Sequence, residues 1–239
     1  MKSINEIRVR RYTEESNHDE KGLIASEQIV EIRTSERQLG VLKTSPGLEE
    51  YLALGFILSM GYWPYSNKYP EVIRQEEYVL VIIDEASIED HIRDRDDIFP
   101  LESELFLRLE DFQKQLGYIS EQAELSSETT GIHSALLIDT LEHKQYFAED
   151  FSQSAAVDKV IGMGLANGIH FPASYLLVTD LITQDIAEKC IWVEIPLIAS
   201  SSSSTDRGIL TAETFNITLI GNLTVDSFSV YHEGAVKIE

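Results

Sequence analysis

The sequence predicts an α/β (α+β) protein, a mixed sheet flanked by helices with a small β-rich subdomain at the N-terminus. Three observations carry this. From Ile132 onward, short runs of β-forming residues alternate with segments of helical length, the pattern of a sheet whose strands are joined by helical crossovers. Ahead of that region, strand-like segments are spaced as a hairpin. The chain has 239 residues, 43% of them apolar, enough for a core that buries roughly 70–75% of the unfolded surface and too apolar for general disorder.

Taken in order, residues 29–33 and 38–43 alternate apolar and polar side chains about Thr34-Ser35-Glu36, as a half-buried hairpin would. Thr44-Ser45-Pro46-Gly47-Leu48-Glu49-Glu50 has the chemistry of a helix start. The helix over 51–59 is apolar nearly all round, which predicts burial. Residues 78–83 read as a strand, 84–97 as an acidic mobile connection containing His91, and 101–116 as a helix with Leu105, Leu109, Phe112 and Leu116 on one face. Residues 122–130 read as a polar linker. Strands follow at 134–139 and 145–148, a helix at 155–165, a strand at 175–179, a helix at 182–189 and a strand at 195–199. A helix from near Thr205 and strands at 217–220 and 228–231 end the chain. The expected division is an N-terminal segment, 1–125, and an α/β core, 126–239, together one unit.

Charge excludes several partners. Forty-one acidic residues against 19 basic ones give a net charge of −22, a field that repels nucleic acid and anionic membranes unless a basic patch overrides it. The densest basic cluster is Arg8, Arg10 and Arg11. The opening MKSINEIRVRRYTEES lacks an apolar signal segment, and the apolar runs at 78–83 and 191–199 are too short to span a bilayer. Cytoplasmic residence is the expectation. A homodimer is left open. Cys190 is the single cysteine, so an intrachain disulfide and a cysteine-rich metal site are both excluded. Lys189 could activate its thiol, but Ile191 and Trp192 beside it favour an inert buried residue.

In open α/β sheets ligands gather beyond the carboxyl ends of strands, and four loops fit: 130–133, 149–154, 179–181 and 200–206. After the Gly131 turn, His133 could be a base, a ligand contact or a metal ligand, or a polar residue satisfied by a backbone carbonyl. Glu149 and Asp150 could cap the following helix, and Asp158 and Lys159 could form surface ion pairs on it. The run Ser200-Ser201-Ser202-Ser203-Ser204-Thr205-Asp206-Arg207 could hold a phosphate at a helix start, or form a flexible loop capped by Thr205 or Asp206. Gly162-Met163-Gly164-Leu165-Ala166-Asn167-Gly168 superficially resembles a dinucleotide fingerprint but falls at the end of a helix rather than after a strand, which makes it a poor match.

Several blocks together resemble the FdhD/NarQ family. Thr44-Ser45-Pro46 through Met60-Gly61 is similar to its early helix, and Thr130-Gly131-Ile132-His133-Ser134-Ala135 to its TGG-x-HaA block, one residue shorter. Glu149-Asp150-Phe151-Ser152-Gln153-Ser154-Ala155-Ala156-Val157-Asp158-Lys159 resembles EDVGRHNAVDK. Ile217-Thr218-Leu219-Ile220-Gly221-Asn222 with Phe228-Ser229-Val230-Tyr231 resembles the terminal block. The resemblance implies a cytidine-deaminase-like fold and a formate dehydrogenase accessory protein. Its family role is sulfur transfer from a cysteine desulfurase, on a Cys-x-x-Cys loop, to the molybdenum bis(molybdopterin guanine dinucleotide) cofactor of formate dehydrogenase. Those two enzymes are the implied partners, and that cofactor or a guanine nucleotide is the implied ligand; no tightly held cofactor is expected.

Carried over onto matching positions, the cofactor contacts are Gly131, His133, Asp150, Asp158, Lys159, Ser200, Thr205 and the stretch Asn222, Leu223, Thr224, Val225, Asp226 and Ser227. The catalytic positions are empty. The loop expected between the strand at Tyr78 and the helix at Leu101 has no cysteine, and only a cysteine thiolate can carry a persulfide. Basic family residues are replaced within Ser152-Gln153-Ser154 and Thr179-Asp180-Leu181, and at Thr224. Deaminase chemistry is excluded as well, because His133-Ser134-Ala135 lacks the glutamate, and the chain lacks the cysteine pair, of that zinc site. The reading is an accessory protein degenerate in sulfur chemistry, or a non-catalytic relative that binds a nucleotide-bearing ligand or a partner enzyme.

Overall fold

The computed structural model describes residues 3–62, 70–76, 78–83 and 99–239. The acidic stretch 84–97, read above as a mobile connection, lies outside the described residues.

The chain opens with a hairpin of β1 (Ile4–Tyr12) and β2 (Asn17–Ala25), paired in full antiparallel register as a sheet of its own. Sequence reading gave this region no defined strands. Both faces of the ribbon meet solvent, so no buried face imposes an alternating apolar pattern. The expected hairpin follows as β3 (Gln28–Arg33) and β4 (Gln38–Thr44), turning where Thr34 Oγ1 accepts from the Glu36 and Arg37 amides at 3.2 and 3.1 Å. Helix α1 (Glu49–Ser59) is buried along nearly its whole length, as its sequence requires. Two more strands, β5 (Glu71–Arg74) and β6 (Tyr78–Ile82), complete a four-stranded sheet in the order β4-β3-β6-β5.

The predicted helix over 101–116 begins later. Residues Phe106–Leu107 form β7, drawn into parallel pairing with Lys237–Ile238 (β14) at the end of the chain. Helix α2 (Leu109–Gln122) then starts where the Asp111 carboxylate accepts from the Arg108 amide at 2.9 Å. Leu105 and Leu109 suit either period, and the long-range pairing decides between them. Part of the polar linker is also a helical turn, α3 (Leu125–Glu128). Its free amides are held by a distant carboxylate: Glu149 accepts from Glu124, Leu125 and Ser126 at 2.9, 2.7 and 3.0 Å.

The remaining elements build the main sheet: β8 (His133–Asp139), β9 (Lys144–Asp150), α4 (Gln153–Ala166), β10 (Ser174–Val178), α5 (Gln184–Trp192), β11 (Leu197–Ser200), α6 (Asp206–Phe215), β12 (Thr218–Gly221) and β13 (Ser229–His232). Six strands run in the order β13-β12-β11-β10-β8-β9. The three central strands β10, β11 and β12 are parallel, and β8, β9 and β13 pair antiparallel. The result is the mixed sheet flanked by helices that the sequence predicts.

Strand alternation divides the core. Ala135, Leu137, Leu176, Val178, Ile198 and Leu219 pack with α1, α4, α5 and α6, whereas Leu136, Ile138, Tyr175, Leu177 and Ile220 pack with Phe112 of α2 on the other face. Each such valine, leucine, isoleucine or phenylalanine side chain, fully buried, contributes roughly 1.5–3 kcal/mol. Helices α1 and α4 meet backbone to backbone. A β-carbon at Gly55 would lie 1.7 Å from the Asp158 carbonyl oxygen, and one at Gly162 would lie 1.9 Å from that of Tyr51. The glycine of the would-be nucleotide fingerprint thus serves helix packing. Among the described residues, no helix is long and apolar enough to cross a membrane.

Candidate functional site

Strands β10, β11 and β12 end side by side at Val178, Ser200 and Gly221. Because β8 runs antiparallel to β10, with Ala135 opposite Val178, His133 opens at this same end, and Asp150 faces it at the end of β9. The four loops expected to gather here are therefore anchored at one end of the sheet.

The loops are tied chiefly to one another. Ser200 Oγ donates to the Asp180 carbonyl at 2.6 Å and accepts from the Ser202 amide at 2.9 Å. The Ser200 carbonyl accepts from the Leu223 amide at 2.9 Å, and that of Ser202 accepts from the Asn222 amide at 2.6 Å. Asn222 Nδ2 donates to the Tyr231 hydroxyl, which also meets Ser203 Oγ, both at 2.9 Å. Asn222 holds a positive φ of 51°, a conformation asparagine tolerates better than most residues. The serine run is thus a cross-braced turn, and Thr205 caps α6 by accepting from the Gly208 amide at 3.0 Å. Asp206 Oδ1 holds the Arg207 amide at 2.8 Å, so two of the amides that could have received a phosphate are already occupied.

His133 Nδ1 stands 3.2 Å from Asp180 Oδ2, both side chains partly exposed. Asp180 is fixed from behind, its Oδ1 accepting from the Leu181 amide at 2.8 Å. Such an arrangement orients the imidazole through Nδ1. Farther along, Thr224 braces a turn with the Asp226 and Ser227 amides, Gln113 bonds the Val225 carbonyl, and Leu223 is buried. Gly131 takes a positive φ of 78°, with open space around it.

The expected ion pairs belong to the interior. Asp150, Asp158 and Lys159 are each at most 1% exposed. They do not form the surface pairs read from sequence, because α4 is enclosed by α1 and by the sheet. Asp150 Oδ2 accepts from Lys159 Nζ at 2.7 Å and from Thr44 Oγ1 at 2.5 Å, and its two oxygens face the Ser45 amide at 3.0 Å. Lys159 also donates to the Ser45 carbonyl at 3.0 Å. This knot locks the Thr44-Ser45 turn onto the end of β9. Its neighbour Asp158 points elsewhere, accepting from Ser59 Oγ at 2.7 Å and from Lys189 Nζ at 2.7 and 2.8 Å. Burial pushes the Asp158 carboxyl up, while Lys189 and Ser59 pull it back.

Neither Glu149 nor Asp150 caps α4. Strand alternation sends Glu149 to α3 and Asp150 inward, and Ser152 accepts from the Ala155 amide at 3.4 Å instead. Sequence reasoning missed Thr44, Ser45, Ser59 and Lys189 as partners of these groups. A charged Asp-Lys pair inside the otherwise apolar Ala155-Ala156-Val157…Val160-Ile161 run was the signal that could have found them.

Cys190 lies on α5, fully buried, and burial pushes its thiol far above the ordinary range. Among the described residues, no group of three or more His, Cys, Asp or Glu side chains could hold a metal ion.

The FdhD/NarQ family model matches residues 82–237. A sulfur carrier protein FdhD of Methanothermobacter thermautotrophicus is 30% identical over 132 residues, spanning 55% of this chain and about half, 52%, of that protein. A protein FdhD of Methanocaldococcus jannaschii is 26% identical over 97% of both chains. Among solved structures, a putative formate dehydrogenase accessory protein from Desulfotalea psychrophila superposes with a TM-score of 0.83 over 97% of both chains at 19% identity, a likeness of fold.

Proposed function

This chain belongs to the FdhD/NarQ family, and from that premise we propose that it is a formate dehydrogenase accessory protein that does not carry sulfur and works by binding. One observation carries the proposal. The single cysteine of the chain, Cys190, is fully buried with its thiol pushed up. To receive sulfur, a thiolate must attack the outer sulfur of a donor persulfide and displace the donor thiolate. A buried, protonated thiol can neither reach that sulfur nor act as the nucleophile.

The residues at the sheet end support the same reading. Lys159, the basic group expected to face the molybdopterin guanine dinucleotide substrate, is committed to Asp150 in the interior. The loops add Asp180, Asp206 and Asp226, with Arg207 as the opposing cation. A ligand with several phosphates fits these residues poorly, since each charge-assisted bond it forgoes is worth roughly 1.5–3 kcal/mol. Binding is therefore assigned to a partner enzyme rather than to that substrate.

Expression in a strain lacking its own FdhD tests this. No formate dehydrogenase activity is expected to return, while a sulfur-carrying relative restores it in parallel. Rescue that disappears in Cys190→Ser would overturn the proposal.

A further inference from the structure

At the sheet end opposite the loop cluster lies a cavity of about 570 Å³, set between the strap that leads into β7, the β8–β9 turn and the short turn before β10. Its apolar lining includes Leu105, Leu141 and Pro172, and its rim includes Glu102, Glu104 and His170. Among the described residues that line it there is no lysine or arginine. The nearby Lys144 is engaged by Glu142 at 2.6 Å.

The cleft is built. The strap is pinned at Leu101, whose amide donates to the Phe215 carbonyl at 2.9 Å and whose carbonyl accepts from Asn216 Nδ2 at 2.7 Å. On the other wall, Thr140 is tied to the Ala173 carbonyl through its amide at 3.1 Å and its hydroxyl at 2.6 Å. Asp139 Oδ1 then holds the Leu141 and Glu142 amides at 2.9 and 3.2 Å, and His143 takes a positive φ of 55° to complete the turn. These bonds fix the turn while the Leu141 side chain stands 63% exposed. Leu141 thereby joins Leu105 and Pro172 in one concave apolar lining with Glu102 and Glu104 beside it, and an exposed apolar patch bordered by polar residues is the mark of an interaction site.

We propose that this cleft is a docking site for a peptide segment of a partner protein in which an apolar residue is flanked by lysine or arginine. The apolar residue would sit against Leu105, Leu141 and Pro172, and the flanking cations would meet Glu102 and Glu104. Charge complementarity selects this occupant: an uncharged or acidic segment gains nothing from the rim, and the net charge of −22 steers cations to the surface. The site depends on neither the His133 loops nor Cys190, so it stands or falls apart from the sulfur question.

The test uses the whole chain, isotope-labelled for NMR, and a synthetic Lys-Arg-Leu-Lys-Arg peptide, with Lys-Arg-Ser-Lys-Arg and Glu-Asp-Leu-Glu-Asp as comparisons. The first peptide is expected to shift the amide signals of Leu105, Leu141 and Ala173, and to bind at least ten-fold more tightly than either comparison. Leu141→Asp and the double variant Glu102→Lys with Glu104→Lys should each weaken it ten-fold or more. Their melting temperatures should hold, because Leu141, Glu102 and Glu104 are exposed. Equal binding of the serine peptide, shifts spread over the whole acidic surface, unchanged affinity in the variants, or no binding would each overturn the proposal.

Discussion

Lys159→Ala is expected to cost about 3–5 kcal/mol, because it leaves a buried carboxylate without its counter-ion. Asp150 is fully buried, and Lys159 supplies its charged partner. The remaining donors, Thr44 Oγ1 and the Ser45 and Ser152 amides, hydrogen-bond the carboxylate but do not neutralise it. A domain's whole stability is about 5–15 kcal/mol, so the variant should unfold at markedly lower urea, with its near-ultraviolet signal weakened at rest. Adding Asp150→Asn to Lys159→Met should recover much of the loss, since removing both charges of a buried pair is far milder than removing one. If Lys159→Ala alone unfolds at the wild-type midpoint, the ion pair does not hold the Thr44-Ser45 turn to β9.

Gly55→Ala is the second large effect. The added methyl would sit 1.7 Å from the Asp158 carbonyl oxygen. That oxygen belongs to the backbone of α4, so relief requires the two helices to part. Overpacking that side chains can absorb costs about 1–3 kcal/mol; a clash between two backbones should reach or exceed the top of that range. Gly117→Ala in α2 supplies the contrast. Nothing lies within 4 Å of its would-be β-carbon, so the gain in helix propensity should stabilise by roughly 0.5–1 kcal/mol. Urea titrations of the two variants should move in opposite directions; a neutral Gly55→Ala would mean that α1 and α4 do not cross as described.

The legibility of the fold followed from how each element is buried. Helix α1 and strands β8 to β12 are enclosed, so their apolar runs announced them. The β1–β2 ribbon is exposed on both faces and left no such trace. Strand β7 exists through its pairing with residues near the C-terminus, which no local pattern encodes. At the candidate site, the residues around His133, Ser200 and Asn222 were brought to one sheet end because strand ends and loops can be ordered from sequence. What those residues touch was far less legible. Asp150 and Thr44 meet across 106 positions, and Asp158 meets Lys189 across 31. Charged residues in the α4 segment were read as exposed, whereas packing on both sides of that helix turned them into interior ties.

The absence of sulfur carriage is tested most directly by incubating the purified chain with a cysteine desulfurase and cysteine, then weighing the intact protein by mass spectrometry before any reductant is added. The expected spectrum shows the unmodified mass, and Cys190 becomes open to alkylation only after denaturation. A mass increased by one sulfur atom, mapped to Cys190 in the folded protein, would contradict the account.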